Sequence, residues 1–256
     1  MDLQLSDRVF IVTGGSRGLG LGTAQVLVDE GAAVVLSSRS QDHVSAAVER
    51  LGSRAVGVAA DLTDAATPGL LIAAALEHFG ALHGAFVSHG GPPPGSASAL
   101  SDDDLKRSLE LATVAPIRFV RDIVDELDQG GAIVVLTSSS TVQPIDGLAG
   151  SNLARPAVWG YCKTLAAEVA PRGVRINVLL PGRFATERVD ELDAARARAE
   201  SRDPAAVRRE HEQQVPLRRL GDPLELGRVA AFLLSPAASY VTGAAWAVDG
   251  GSIQGL

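Results

Sequence analysis

The stretch Val12-Thr13-Gly14-Gly15-Ser16-Arg17-Gly18-Leu19-Gly20 decides the fold. It follows Arg8-Val9-Phe10-Ile11-Val12, which reads as a buried strand, and it opens onto Gly20, Ala24 and Leu27 at helical spacing. Three glycines at this spacing permit a tight turn, let the backbone approach a phosphate, and seat the helix with its amides facing the anion. Standing between a strand and a helix, the run predicts a dinucleotide site in a βαβ unit. Its expected contacts are Gly14, Ser16, Arg17, Gly18, Leu19 and Gly20.

Around this turn the composition is that of a chain with a sizeable apolar core. Of the 256 residues, 46% are hydrophobic and no Pro/Ser-rich linker divides the chain, so residues 1–256 read as one domain. A net charge of −7 offers no basic field for nucleic acid or an anionic membrane surface. No apolar run approaches the length of a bilayer span, and Met1-Asp2-Leu3-Gln4 does not read as a signal peptide. Cys162 is the single cysteine, which excludes an intrachain disulfide and fits a reducing cytoplasm.

Further strand-like runs recur at Ala33–Leu36, Ala55–Ala60, Gly84–Val87, Ala132–Leu136, Val174–Leu180 and Ala244–Val248. Helical periodicity at Val44–Leu51, Leu70–Phe79 and Leu105–Leu127 separates many of them. This alternation predicts an α/β fold of Rossmann type, a doubly wound parallel sheet with helices on both faces. The polar stretch Glu187–Arg219 breaks the pattern and reads as a helix pair, either a lid over a ligand cleft or a solvated excursion.

The second strand ends in Ser37-Ser38-Arg39 and lacks the carboxylate that commonly binds the ribose 2′-hydroxyl of NAD. Arg39, with Ser38 beside it, offers donors suited to a 2′-phosphate, and Arg17 is placed to reach the same group. NADP(H) is therefore the expected cofactor; the alternative is a pair of ordinary surface arginines. Asp61, ending the third strand before Leu62, is a candidate acceptor for the adenine amino group.

Together these residues resemble the short-chain dehydrogenase/reductase family over essentially the whole chain. The likeness is carried by Thr13–Gly20, by Asn177-Val178-Leu179-Leu180-Pro181-Gly182, by Arg219-Leu220-Gly221-Asp222-Pro223, and by Val248-Asp249-Gly250-Gly251. The resemblance implies a seven-stranded parallel sheet, a homotetramer or homodimer, and a small-molecule carbonyl or alcohol substrate, as in 3-oxoacyl reductases. It also implies nucleotide contacts from Ser88, Gly90, Pro181 and Gly182, with Thr186 on the nicotinamide carboxamide.

The family's Asn-Ser-Tyr-Lys set is altered. Ser138 keeps the serine position; the tyrosine falls on Ser151, the lysine on Arg155 and the asparagine on Ala112. Tyr161 and Lys163 are spaced by two and cannot share a helical face. A serine hydroxyl is a far weaker acid than a phenol, while Arg155 stays charged and is suited to ribose hydroxyls. Pro156 predicts a kink or a helix start, which would separate Ser151 from Arg155. His89, in Ser88-His89-Gly90-Gly91, is a candidate replacement proton donor, or else a histidine hydrogen-bonded to a neighbouring loop. Its Gly-Gly-Pro-Pro-Pro-Gly turn and Ser151-Asn152-Leu153-Ala154-Arg155 are similar to one branch of the family.

His211 lacks the second histidine of a zinc helix, and with His43 and His83 it is expected to be solvated; no metal site is expected. Cys162 is expected to be a small buried helix residue. Three readings stay open: an NADP(H)-dependent reductase or dehydrogenase, a nucleotide-holding pseudo-enzyme, and a non-redox enzyme reusing the pocket.

Overall fold

The computed structural model describes residues 2–255. Its strands are β1 (Val9–Thr13), β2 (Ala33–Ser38), β3 (Ala55–Ala59), β4 (Gly84–Val87), β5 (Ala132–Leu136), β6 (Arg175–Pro181) and β7 (Ala245–Val248). They form one parallel sheet in the order β3-β2-β1-β4-β5-β6-β7. The order reverses between β1 and β4, and the crevice at the carboxyl ends of the strands opens there.

Alternation along the strands builds two cores. Val9, Ile11, Ala85, Val87, Ile133 and Val135 face one layer of helices, α3 (Thr67–Phe79), α5 (Ala115–Val124) and α6 (Ala149–Val169). Phe10, Val12, Phe86 and Val134 face the other, α1 (Gly18–Asp29), α2 (Gln41–Leu51) and α9 (Pro223–Leu234). Phe10, Phe86 and Phe119 are fully buried, each contributing about 2 kcal/mol by transfer from water. Among the described residues no helix is long and apolar enough to cross a membrane.

Two departures from expectation concern helices. The run Leu105–Leu127 is not one helix: α4 (Asp102–Leu109) passes through a π-helical turn, Glu110–Val114, into α5. Pro116 explains the break, because it has no N–H to return to the Ala112 carbonyl. Conversely, α6 runs unbroken for 21 residues through Pro156. An interior proline costs about 3 kcal/mol. Burial of Val158 and Val169, with Ala154, Cys162 and Ala166 on the same stripe, offsets that, each valine contributing about 1.5 kcal/mol or more. The expected separation of Ser151 from Arg155 is thereby overturned.

The polar stretch forms α7 (Glu187–Ala199) and α8 (Pro204–Gln214). Two histidines expected to be solvated are not. His83 Nδ1 accepts the Val9 amide at 2.9 Å, and His211 is buried against Asp193 and Arg196. Both sit where apolar neighbours recur too irregularly for periodicity to register them.

Replacing Pro156 with alanine restores an amide for the Asn152 carbonyl. Thermal unfolding of P156A is expected to shift upward by several degrees, at about 2–4 °C for each kcal/mol regained.

Candidate active site

The glycine turn leaves an open helix end. Gly14 sits at φ +60°, and a Cβ on Gly20 would overlap the Gly14 carbonyl, so the turn closes only without side chains at these positions. Arg17, the residue before α1, makes no side-chain capping bond, and the first turn of α1 carries no acidic residue. The helix amides and the positive end of its dipole are left facing the crevice, which suits an anion such as a pyrophosphate. Thr13 Oγ1 donates to the Ser88 carbonyl at 2.7 Å and accepts the Ser88 amide at 2.9 Å. That pair holds the ends of β1 and β4 at the point where the strand order reverses.

A single cleft of about 590 Å³ runs along this edge of the sheet. The turn residues Gly14, Ser16, Arg17, Gly18, Leu19 and Gly20 line one end, with Ser38 and Arg39 from β2 and Asp61 and Leu62 after β3. Ser88, His89 and Gly90 follow β4, Ser138 follows β5, and Ser151 and Arg155 project from α6. Pro181, Gly182 and Thr186 close the cleft below α7. Every expected contact thus lies on one surface. Arg107 and Leu111, before and within the π turn, line it too and were not anticipated.

Three side chains are engaged differently from expectation. The Arg17 guanidinium turns to α7, 3.0 Å from Glu187 and 3.7 Å from Glu191, while Arg39 remains exposed in the cleft. Asp61 Oδ1 accepts from the Thr63 amide and hydroxyl, which stiffens the end of β3 and leaves its other oxygen outward. Thr186 caps α7, its hydroxyl accepting the Val189 amide.

At the other end of the cleft, hydroxyls form a row. Arg155 Nε donates to Ser151 Oγ at 3.0 Å, so the two residues do share a face of α6. Ser151 Oγ lies 2.9 Å from Ser140 Oγ, and the Ser140 amide donates to Ser138 Oγ at 3.1 Å. Ser140 links the two expected serines, and a run of three serines gave no hint of which would face inward. Arg155 Nη1 donates to the Thr137 carbonyl at 2.6 Å. Burial pushes the Arg155 guanidinium down to about 10, which leaves it charged at neutral pH. Lys163 is remote from the row, donating to the Gly243 carbonyl, and burial pushes the Cys162 thiol up to about 12.

His89 does not supply an imidazolium. Burial, and next the Arg155 charge, push its ring down to about 3. Nδ1 lies 3.1 Å from the Gly90 carbonyl, a contact within its own loop rather than a neighbouring one. A ring held neutral at pH 7 weighs against a replacement proton donor at this position. Among the described residues no cluster suits a metal ion.

Comparison with known proteins agrees with this arrangement. The family model described as enoyl-(acyl carrier protein) reductase matches residues 14–252. An uncharacterized oxidoreductase of Mycobacterium tuberculosis is 33% identical over 258 residues, 97% of this chain and 93% of that protein. Dehydrogenase/reductase SDR family member 4 of Homo sapiens is 31% identical over 97% of this chain and 88% of its own. The crystal structure of L-sorbose reductase from Gluconobacter frateurii, complexed with NADPH and L-sorbose, superposes with a TM-score of 0.94 at 28% identity over both full chains. The chain belongs to the short-chain dehydrogenase/reductase family.

The end of the cleft beyond β4 holds three serine side chains beside a buried arginine. No phenol stands in it: Tyr161 is only partly buried and, like Lys163, lies outside the cleft lining.

His89 also predicts a pH dependence. The unfolded chain protonates this ring near 6.5 and the folded chain only near 3. Stability from the neutral ring is therefore complete above about 6.5 and is lost as pH falls toward 3. Urea unfolding at pH 7 and pH 5 is expected to show a smaller loss for H89Q than for the parent chain.

Proposed function

We propose that this short-chain dehydrogenase/reductase is an NADP(H)-dependent oxidoreductase acting on a carbonyl or alcohol substrate. The observation that carries the cofactor reading is Arg39 standing exposed in the cleft at the end of a strand without a carboxylate. A 2′-phosphate there meets the Arg39 guanidinium and the Ser38 hydroxyl, and Arg17 joins them by exchanging its Glu187 contact for the phosphate. The G. frateurii relative, crystallised with NADPH, supports the same reading. The uncapped α1 end takes the pyrophosphate, and Asp61 and Leu62 flank the adenine. Ser88, Gly90, Pro181, Gly182 and Thr186 wall the nicotinamide end, where Arg155 is also in reach of ribose hydroxyls.

The bound nicotinamide supplies or accepts the hydride. Ser138 and Ser151 hold the reacting oxygen between them, and Arg155 polarises Ser151 through Nε. Ser140 braces both serines, its hydroxyl bonded to Ser151 Oγ and its amide to Ser138 Oγ, and the proton on the reacting oxygen exchanges with water that enters by the cleft rather than with a phenol. Positioning supplies much of the acceleration, and the missing general acid lowers the rate by about 10²–10⁴. The helix pair α7–α8 acts as a lid, latched to the glycine turn through Arg17.

Two measurements test this. Calorimetry is expected to give NADPH about tenfold or more preference over NADH, removed by R39A; equal affinity for the two nucleotides refutes the cofactor reading. With carbonyl substrates, kcat/KM is expected to be flat between pH 6 and 9, because the ionisable groups in the row lie near 3 and near 10. Tight nucleotide binding without turnover across a broad carbonyl panel makes the chain a nucleotide-holding module instead.

A further inference from the structure

Arg155 is a buried cation without an anion. Its side chain is 8% exposed, yet it forms no ion pair among the described residues. Nε is spent on a hydroxyl and Nη1 on a carbonyl, both neutral. Nη2 has no acceptor among the described residues and opens on the cleft. The neighbouring His89 is uncharged at neutral pH and offsets none of the charge.

Arg175 is a useful internal contrast. It too is buried without an acid, but both Nη atoms donate to backbone carbonyls, of Leu233, Val241 and Ser235. Its fork is closed by protein and is purely structural. The Arg155 fork is closed on two atoms and open on the third. A desolvated charge of this kind is costly unless a counter-ion completes it.

Gly91 borders Nη2, a Cβ there standing 3.7 Å from that nitrogen, at ordinary contact distance. None of the carboxylates lining the cleft pairs with Arg155: Asp61 accepts from Thr63, Glu187 pairs with Arg17, and Glu191 with Arg17 and Arg188. A ribose hydroxyl would fill the hydrogen bond but leave the charge uncompensated. A substrate carboxylate does both, with one oxygen on Nη2 and the Ser151 hydroxyl, oriented by Arg155 itself, beside it.

We infer that the open edge of Arg155 is a carboxylate subsite, and that this oxidoreductase takes small oxo- or hydroxycarboxylic acids held there by their carboxylate. The inference rests on the nucleotide reading above, since the cleft is shared with NADP(H).

Calorimetry on the chain saturated with NADP⁺, where no turnover occurs, tests it with 2-oxobutanoate and 4-oxopentanoate against their methyl esters. At least one acid is expected to bind about tenfold more tightly than its ester, with the preference lost in R155Q and partly kept in R155K. Equal binding of acid and ester by the parent chain overturns the subsite, as does a preference that survives in R155Q. A tenfold loss of NADP⁺ affinity in R155Q with the acid preference unchanged overturns it in favour of a ribose contact. If R155Q does not fold, the acid-to-ester ratio of the parent chain decides alone. A parent chain that gives no heat with NADP⁺ fails the function reading itself, and the subsite falls with it.

Discussion

The reacting end of this molecule depends on how α6 lies against the sheet. A helix interrupted by proline ordinarily bends or ends, because one amide is missing and the ring crowds the preceding turn. Here Val158, Cys162 and Ala166 are buried in one core with Val178 of β6, the strand α6 lies against. That apolar contact keeps the helix unbroken through Pro156. Ser151 and Arg155 then fall one turn apart on the same face, and the hydroxyl row becomes possible.

The row has consequences for proton chemistry. A phenol beside a cation titrates close enough to neutrality to exchange a proton; a serine hydroxyl does not. What the site offers instead is a fixed positive charge beside three serine side chains, a neutral histidine, and an Nη2 without an acceptor among the described residues. Such a set is better at holding negatively charged oxygen than at delivering protons. The helix dipole of α1 makes the opposite end of the cleft equally receptive to anions, so both ends favour charged ligands in a protein whose net charge is −7.

The helix pair α7–α8 and the glycine turn are coupled by charge. Arg17 is the common element, reaching Glu187 and Glu191 on α7 from the turn itself. Exposed pairs like these contribute at most about 1 kcal/mol, so the latch is easily exchanged for a phosphate. Inside the helix pair, Asp193 is held by Arg183 and faces His211, which gives the lid its own buried polar core. A ligand that recruits Arg17 therefore acts on α7 without disturbing the packing between α7 and α8.

Much was legible in the chain because local rules carry it. The strand–glycine turn–helix unit, the parallel alternation and the absent carboxylate after β2 follow from spacing and backbone requirements that act over a few residues, while the cleft residues beyond β4 were expected from the family resemblance, and Arg107 and Leu111 were not anticipated. The tertiary structure decided what depends on distant partners. It kept α6 whole by packing it on β6 and the core around that strand, and it opened a π turn where Pro116 has no N–H for the Ala112 carbonyl. It placed Ser140 between Ser138 and Ser151, silenced the charge of His89 by burial beside Arg155, and turned Arg17 toward the lid. Desolvation and side-chain pairing are properties of neighbours in space, and no periodicity in the chain encodes them.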